Sequence, residues 1–185
     1  MFKKYNQQQN FLIPPSYEDF LWEKHEAKLL NNIIDGLSLD FLYKSYKNNK
    51  LWTTAYNPVM LLKILFYGYM NGSFSSRKIA KKLTSDLWFM FLAGNNQPDF
   101  RTINNFRKNK AELLEQVFVE IIYLANELWL VTFWTFSIDG TSIYANASKY
   151  KNIDLEKLND KISGLFDEAE RIDGEEDEKY WDAQD

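Results

Sequence analysis

The chain has 185 residues, 45% of them apolar and 17% aromatic, enough for one domain, or one domain plus part of another, with a sizeable core. Its net charge of −4 hides a division, because Lys151–Asp185 holds 13 acids against 5 bases while the first 150 residues hold 13 acids against 17 bases. The chain has no Cys, which excludes disulfides and thiolate metal sites, and it has one His; no apolar run reaches the roughly 20 residues of a membrane span, and polar Met1–Asn10 lacks the apolar segment of a signal peptide, so a cytoplasmic protein is expected.

Pro14-Pro15-Ser16 opens the first expected element, with Ser16 as N-cap and the acids Glu18 and Asp19 suited to the first turn. Helical spacing runs through Leu29, Leu30, Ile33 and Ile34 until Gly36, and Ser38 is read as the cap of a short helix over Leu39–Tyr46. His25 reads as a packing or capping residue rather than a ligand. Asn57-Pro58 is a start signal, an N-cap followed by Pro at the first helical position, and Val59–Met70 is apolar almost all round, the mark of a central buried helix.

Asn71-Gly72 ends that helix, and Ser75 or Ser76 caps the next, Arg77–Leu83. Its bases Arg77, Lys78, Lys81 and Lys82 cluster on one side, with Ile79, Ala80 and Leu83 facing inward. Asp86–Leu92 reads as a short aromatic helix terminated by Gly94-Asn95-Asn96, and Asp99 caps one long helix from about Phe100 to Leu128. In that helix Arg101, Asn104, Asn105 and Lys108 fall at i, i+3, i+4 and i+7 and share a face, with Arg107 beside them. Ile103, Phe106, Leu113, Leu114 and Val117 supply the other. Arg and Asn have the shapes that read guanine and adenine edges, so the two helices suggest a helix-turn-helix-like pair with a structured insertion between its members. A solvated polar face is the plainer reading of the same spacing.

From Val131 the period becomes alternating, with Trp134, Phe136 and Ile138 on one face and Thr135, Ser137 and Asp139 on the other. Gly140-Thr141 turns the chain into a second strand, Ser142–Ala147, giving an expected β-hairpin over residues 133–147. A polar helix over Leu155–Arg171 follows, with a stripe of Leu155, Leu158, Ile162 and Leu165, and the acid-rich Asp167–Asp185 is expected to be a solvated helix or disordered.

The string F-W-T-F-S-I-D-G-T-S-I-Y-A-N-A-S-K at Phe133–Lys149 resembles the segment around the first catalytic Asp of bacterial insertion-sequence transposases of the DDE class, whose catalytic core is RNase H-like. Tyr56–Lys82 and Pro98–Lys108 (P-D-F-R-T-I-N-N-F-R-K) are similar to the helical N-terminal domain that precedes that core. The resemblance implies a mainly α fold: a helical DNA-binding and assembly domain over residues 10–130, then, over residues 131–185, the first β-hairpin of a truncated RNase H-like core and an acidic helical tail. It implies Asp139 as a catalytic, Mg²⁺-holding carboxylate, the first of three. The other two have no match in this sequence, so a chain inactive alone is expected. It implies double-stranded DNA of the element's terminal repeats as partner, bound through Arg77, Lys78, Lys81, Lys82, Arg101, Asn104, Asn105, Arg107 and Lys108, with itself or full-length transposase as further partners. The alternatives are a non-enzymatic regulator of transposition and an all-α interaction domain with no nucleic-acid role.

Overall fold

The structure, a computed structural model, describes residues 16–45, 55–127, 135–138, 141–144 and 155–182. A 3-10 turn at Tyr17–Asp19 is held by the Ser16 N–H donating to Asp19 Oδ2 at 2.7 Å. The first α-helix starts later than Ser16 suggests, at α1 (Glu26–Gly36), where the neutral Nδ1 of His25 accepts the Ala27 N–H at 3.2 Å. His25 is therefore the cap, and its ring also stacks on Trp88 with centroids 3.4 Å apart. A short helix, α2 (Asp40–Lys44), follows with Leu39 at its N-cap, so Ser38 does not cap it.

Helix α3 (Pro58–Met70) is the axis of the molecule. Asn57 Oδ1 accepts from the N–H groups of Val59 and Met60, Pro58 occupies the first turn, and every residue from Met60 to Tyr69 is buried. Even Lys63 is buried, its Nζ donating to Asn31 Oδ1 at 2.8 Å and Asp35 Oδ1 at 2.5 Å on α1. Such a helix can exist only with neighbours on all sides, and α1, α2, α4, α5 and α6 supply them.

The turn after α3 is tight. Gly72 adopts φ +64°, and α4 (Ser76–Lys82) then returns so closely across α3 that a Cβ on Gly68 would lie 2.8 Å from Ile79 Cδ1 and 3.2 Å from the Ser73 carbonyl oxygen. Ser75 caps α4 through its Oγ, which accepts the Lys78 N–H. Helix α5 (Leu87–Ala93) begins at Asp86, whose Oδ1 accepts from Trp88 and Phe89, and ends at left-handed Gly94 and Asn95.

The single helix expected from Phe100 onward is two. Asp99 caps α6 (Phe100–Asn109), Lys110 leaves the helical region at φ −128°, and its carbonyl then accepts the Leu114 N–H to start α7 (Ala111–Glu127). No Gly or Pro marks this break. Tertiary packing sets it: α6 lies on α4, whereas Leu114, Val117, Phe118 and Ile121 of α7 enter the core beside Phe66 and Tyr69.

Strands β1 (Thr135–Ile138) and β2 (Thr141–Tyr144) form an antiparallel ladder with Thr135 opposite Tyr144 and Ile138 opposite Thr141. Helix α8 (Leu155–Asp182) closes the described structure and runs along α7.

This corrects the expected fold class. The described structure is an α-helical body, and the hairpin does not open a sheet layer: eight residues pair with each other, beside α3 and α8, and no other strand occurs among the described residues. Two strands alone cannot make the β layer of an RNase H-like core. The expected helix from Leu155 is present, with Leu158, Ile162, Leu165, Phe166 and Ala169 buried in the same core as α3 and α7, and the acidic end, expected as a solvated helix or disordered, continues that helix to Asp182 with Asp173 buried. Its apolar stripe was long enough to dock, and the acids beyond it found basic partners. Among the described residues no helix is long and apolar enough to cross a membrane.

Candidate nucleic-acid interface

Helices α4 and α6, the two singled out by their bases, pack against each other, while α5 between them in sequence packs on α3. Their inward faces are apolar: Ile79 and Leu83 on α4, Ile103 and Phe106 on α6. Their polar residues divide into three groups by environment.

Lys78, Lys81, Arg101 and Asn105 are exposed, and the two lysines make no ion pair among the described residues. The Arg101 guanidinium lies 5.5 Å from the Phe100 ring, and Lys82, half-buried, places its Nζ 5.2 Å from the Phe89 ring. These groups present positive charge and an amide with hydrogen-bonding capacity to solvent.

Arg77 and Lys108 lie on the same surface but are engaged by α8. Arg77 Nη2 donates to Asp177 Oδ1 at 2.6 Å, and its guanidinium is sandwiched between Phe100, 3.7 Å from the ring centroid, and Tyr180, at 4.3 Å. Lys108 Nζ meets Glu170 Oε1 at 3.2 Å, with both side chains about half exposed or more.

Arg107 belongs to the interior. It is 2% exposed, and its Nη2 lies 2.9 Å from Asn104 Oδ1 and 3.0 Å from Asp173 Oδ2, whose carboxylate is itself buried. The same Asp173 accepts the Ser76 N–H at 2.8 Å and the Ser76 hydroxyl at 2.6 Å, and Ser75 Oγ donates to Glu176 Oε2 at 2.6 Å. One carboxylate thus ties α4, α6 and α8 together. Beneath it Tyr69 is buried on α3 against Phe118 and Phe166, and burial drives its phenol pKa above the ordinary tyrosine range. The i, i+3, i+4, i+7 face expected on α6 is therefore split: Arg101 and Asn105 look outward, Lys108 is shared with α8, and Asn104 orients Arg107.

Asp173, Glu176 and Asp177 were missed as partners of the basic face, although the sequence carried the signal. The buried stripe Leu158, Ile162, Leu165/Phe166 and Ala169 continues at the same spacing through Asp173, Glu176/Asp177 and Tyr180, so one helix face changes from apolar to acidic without changing direction. On the opposite side of α8, Arg171 bridges Glu168 and Glu175 in solvent.

Residues 15–109, which span α1 to α6, match the family described as Transposase domain (DUF772). The chain belongs to that family. The matched segment contains both helices of the candidate interface and ends within the last turn of α6. No curated protein and no solved structure matches the chain. Asp139 lies outside the described residues, and among those that are described no group of three His, Asp or Glu side chains is placed to hold a metal ion.

Proposed function

We propose that this transposase-domain protein binds double-stranded DNA through the α4–α6 face and that its target is the terminal repeats of an insertion element. The observation that carries the reading is the exposed set Lys78, Lys81, Arg101 and Asn105 on two helices packed together inside the transposase-domain match. The lysines would neutralise phosphates and set register, and Arg101 and Asn105 have the shapes for base edges. Arg107 and Asn104 have no direct part in this reading, because they hold α6 to α8.

The resemblance around Asp139 extends the proposal to a catalytic, Mg²⁺-holding carboxylate of the DDE class. It rests on the sequence alone. With the other two carboxylates unmatched, no Mg²⁺-dependent nicking by this chain alone is expected; nicking lost in Asp139→Asn would show the site to be complete, and nicking that survives would leave Asp139 as a turn residue.

The test of the DNA reading is a mobility-shift titration of the purified chain with duplex carrying the element's ends, at low and physiological salt. Binding that weakens roughly tenfold or more between about 50 and 200 mM salt is expected if a few phosphates are contacted. Absence of a shift at low salt would sink the proposal.

A further inference from the structure

We propose that the acidic C-terminal half of α8 is an intramolecular stand-in for the DNA backbone, seated on the α4–α6 face, and that its end, residues 174–182, is displaced when duplex binds. The inference rests on the DNA-binding reading above, and its observations are independent of it.

Helix α8 has two halves of different character along one face. From Leu158 to Ala169 that face is apolar and buried, which fixes the helix to α7 and, through Phe166 against Tyr69, to α3. From Glu170 to Tyr180 it meets α4 and α6 almost entirely through charge: Glu170 to Lys108, Asp173 to Arg107 and Ser76, Glu176 to Ser75, Asp177 to Arg77. The carboxylates recur at three to four residues, about one helical turn of 5.4 Å, and form a row of anions that follows the basic surface. Two of the bases proposed for DNA, Arg77 and Lys108, are held by this row, while Lys78, Lys81 and Arg101 beside them are not.

The second half is also the weaker half. Partly exposed ion pairs such as Arg77–Asp177 and Lys108–Glu170 are worth little in water, and past Asp173 none of residues 174–180 is buried. A polyanion that competes for Arg77 and Lys108 therefore takes the outer partners of Asp177 and Glu170, so that residues 174–182 are released while Asp173, held by Arg107 and Ser76, and the apolar half stay docked.

The test compares two variants with the same change in charge. Glu170→Gln/Asp177→Asn frees Lys108 and Arg77, whereas Glu168→Gln/Glu175→Gln removes two acids that pair only with Arg171. Duplex affinity, measured by fluorescence anisotropy at low salt, is expected to rise at least tenfold more in the first variant than in the second. Equal gains would mean that only net charge matters and would overturn the stand-in while leaving DNA binding intact; no binding by the wild type or either variant would overturn the DNA reading and the stand-in with it. Hydrogen exchange of the wild-type chain gives a second readout. Saturating duplex is expected to speed exchange in residues 174–182 and leave residues 158–169 protected, and an unchanged pattern in a chain that binds DNA would overturn the proposal.

Discussion

Arg107 of α6 and Asp173 of α8 form an ion pair, Nη2 to Oδ2 at 3.0 Å, in which the side chains are 2% and 4% exposed. Asp173 also accepts two hydrogen bonds from Ser76, so the charge is satisfied from both α4 and α6. Removing one partner of such a pair leaves the other buried and uncompensated. Arg107→Met is expected to cost about 3–5 kcal/mol, read by urea unfolding monitored through circular dichroism, and the double variant Arg107→Met/Asp173→Leu to cost less than the single one. A single variant within about 0.5 kcal/mol of wild type would show that the pair is not buried as described.

Gly68 tests the close crossing of α3 and α4. Gly68→Ala brings a methyl to 2.8 Å from Ile79 Cδ1, and the expected loss is about 1–3 kcal/mol despite the better helix propensity of Ala. Ile79→Val removes Cδ1 and should recover part of that loss in the double variant. A stabilised Gly68→Ala protein, by thermal melting, would contradict the crossing.

Much of this body was legible in the sequence. Asn57-Pro58 and Ser75 cap the helices they announced, Asp99 caps the first of two helices where one was expected, Asp86 is the cap of the short aromatic helix it was read into, and the largely apolar run Val59–Met70 is the buried axis. What the sequence did not announce is set by long-range packing. The break at Lys110 has no local signal, and the fate of Arg107 depends on Asp173, 66 positions away; the wheel of α6 sets Arg107 beside Ile103 rather than among the exposed bases, but nothing local names its partner. Acid content suggested a solvated tail for residues 167–185. Composition carries no position: Ala169 and Asp173 of that segment fall in line with the stripe Leu158, Ile162 and Leu165 and are buried with it.

His25 makes stability depend on pH in a defined direction. Partial burial, outweighing the nearby Asp86 carboxylate, holds its imidazole below the ordinary value of 6.5, and only the neutral ring can accept the Ala27 N–H. A base whose pKa is lowered on folding contributes stability that is present above the unfolded value and is lost as pH falls through the lowered one. Thermal midpoints should therefore decline below about pH 6.5, with a component comparable to the loss of an N-cap, about 1 kcal/mol, absent from His25→Asn. Burial raises the pKa values of Glu26 and Glu115, which act in the opposite sense and are common to both proteins. Parallel curves for wild type and His25→Asn would remove His25 from the account.

Arg101 and Asn105 separate reading from holding. Both are exposed on α6, and the double change to Ala is expected to weaken binding to the element's ends more than binding to unrelated duplex, by about 1–3 kcal/mol for each base edge that is no longer read. Equal weakening on both DNAs in a competition assay would assign the two side chains to phosphate alone.

The most direct test of the α4–α6 face as the DNA-binding surface is the salt dependence of duplex affinity in wild type and in Lys78→Ala/Lys81→Ala, followed by anisotropy across about 50 to 200 mM salt. Both lysines are exposed and outside the ion pairs that hold α8, so the fold should be untouched. The slope of log K against log salt is predicted to shrink by about 0.9 for each phosphate no longer neutralised, close to two units in all. A slope identical to that of the wild type would place the DNA on another surface and contradict the account.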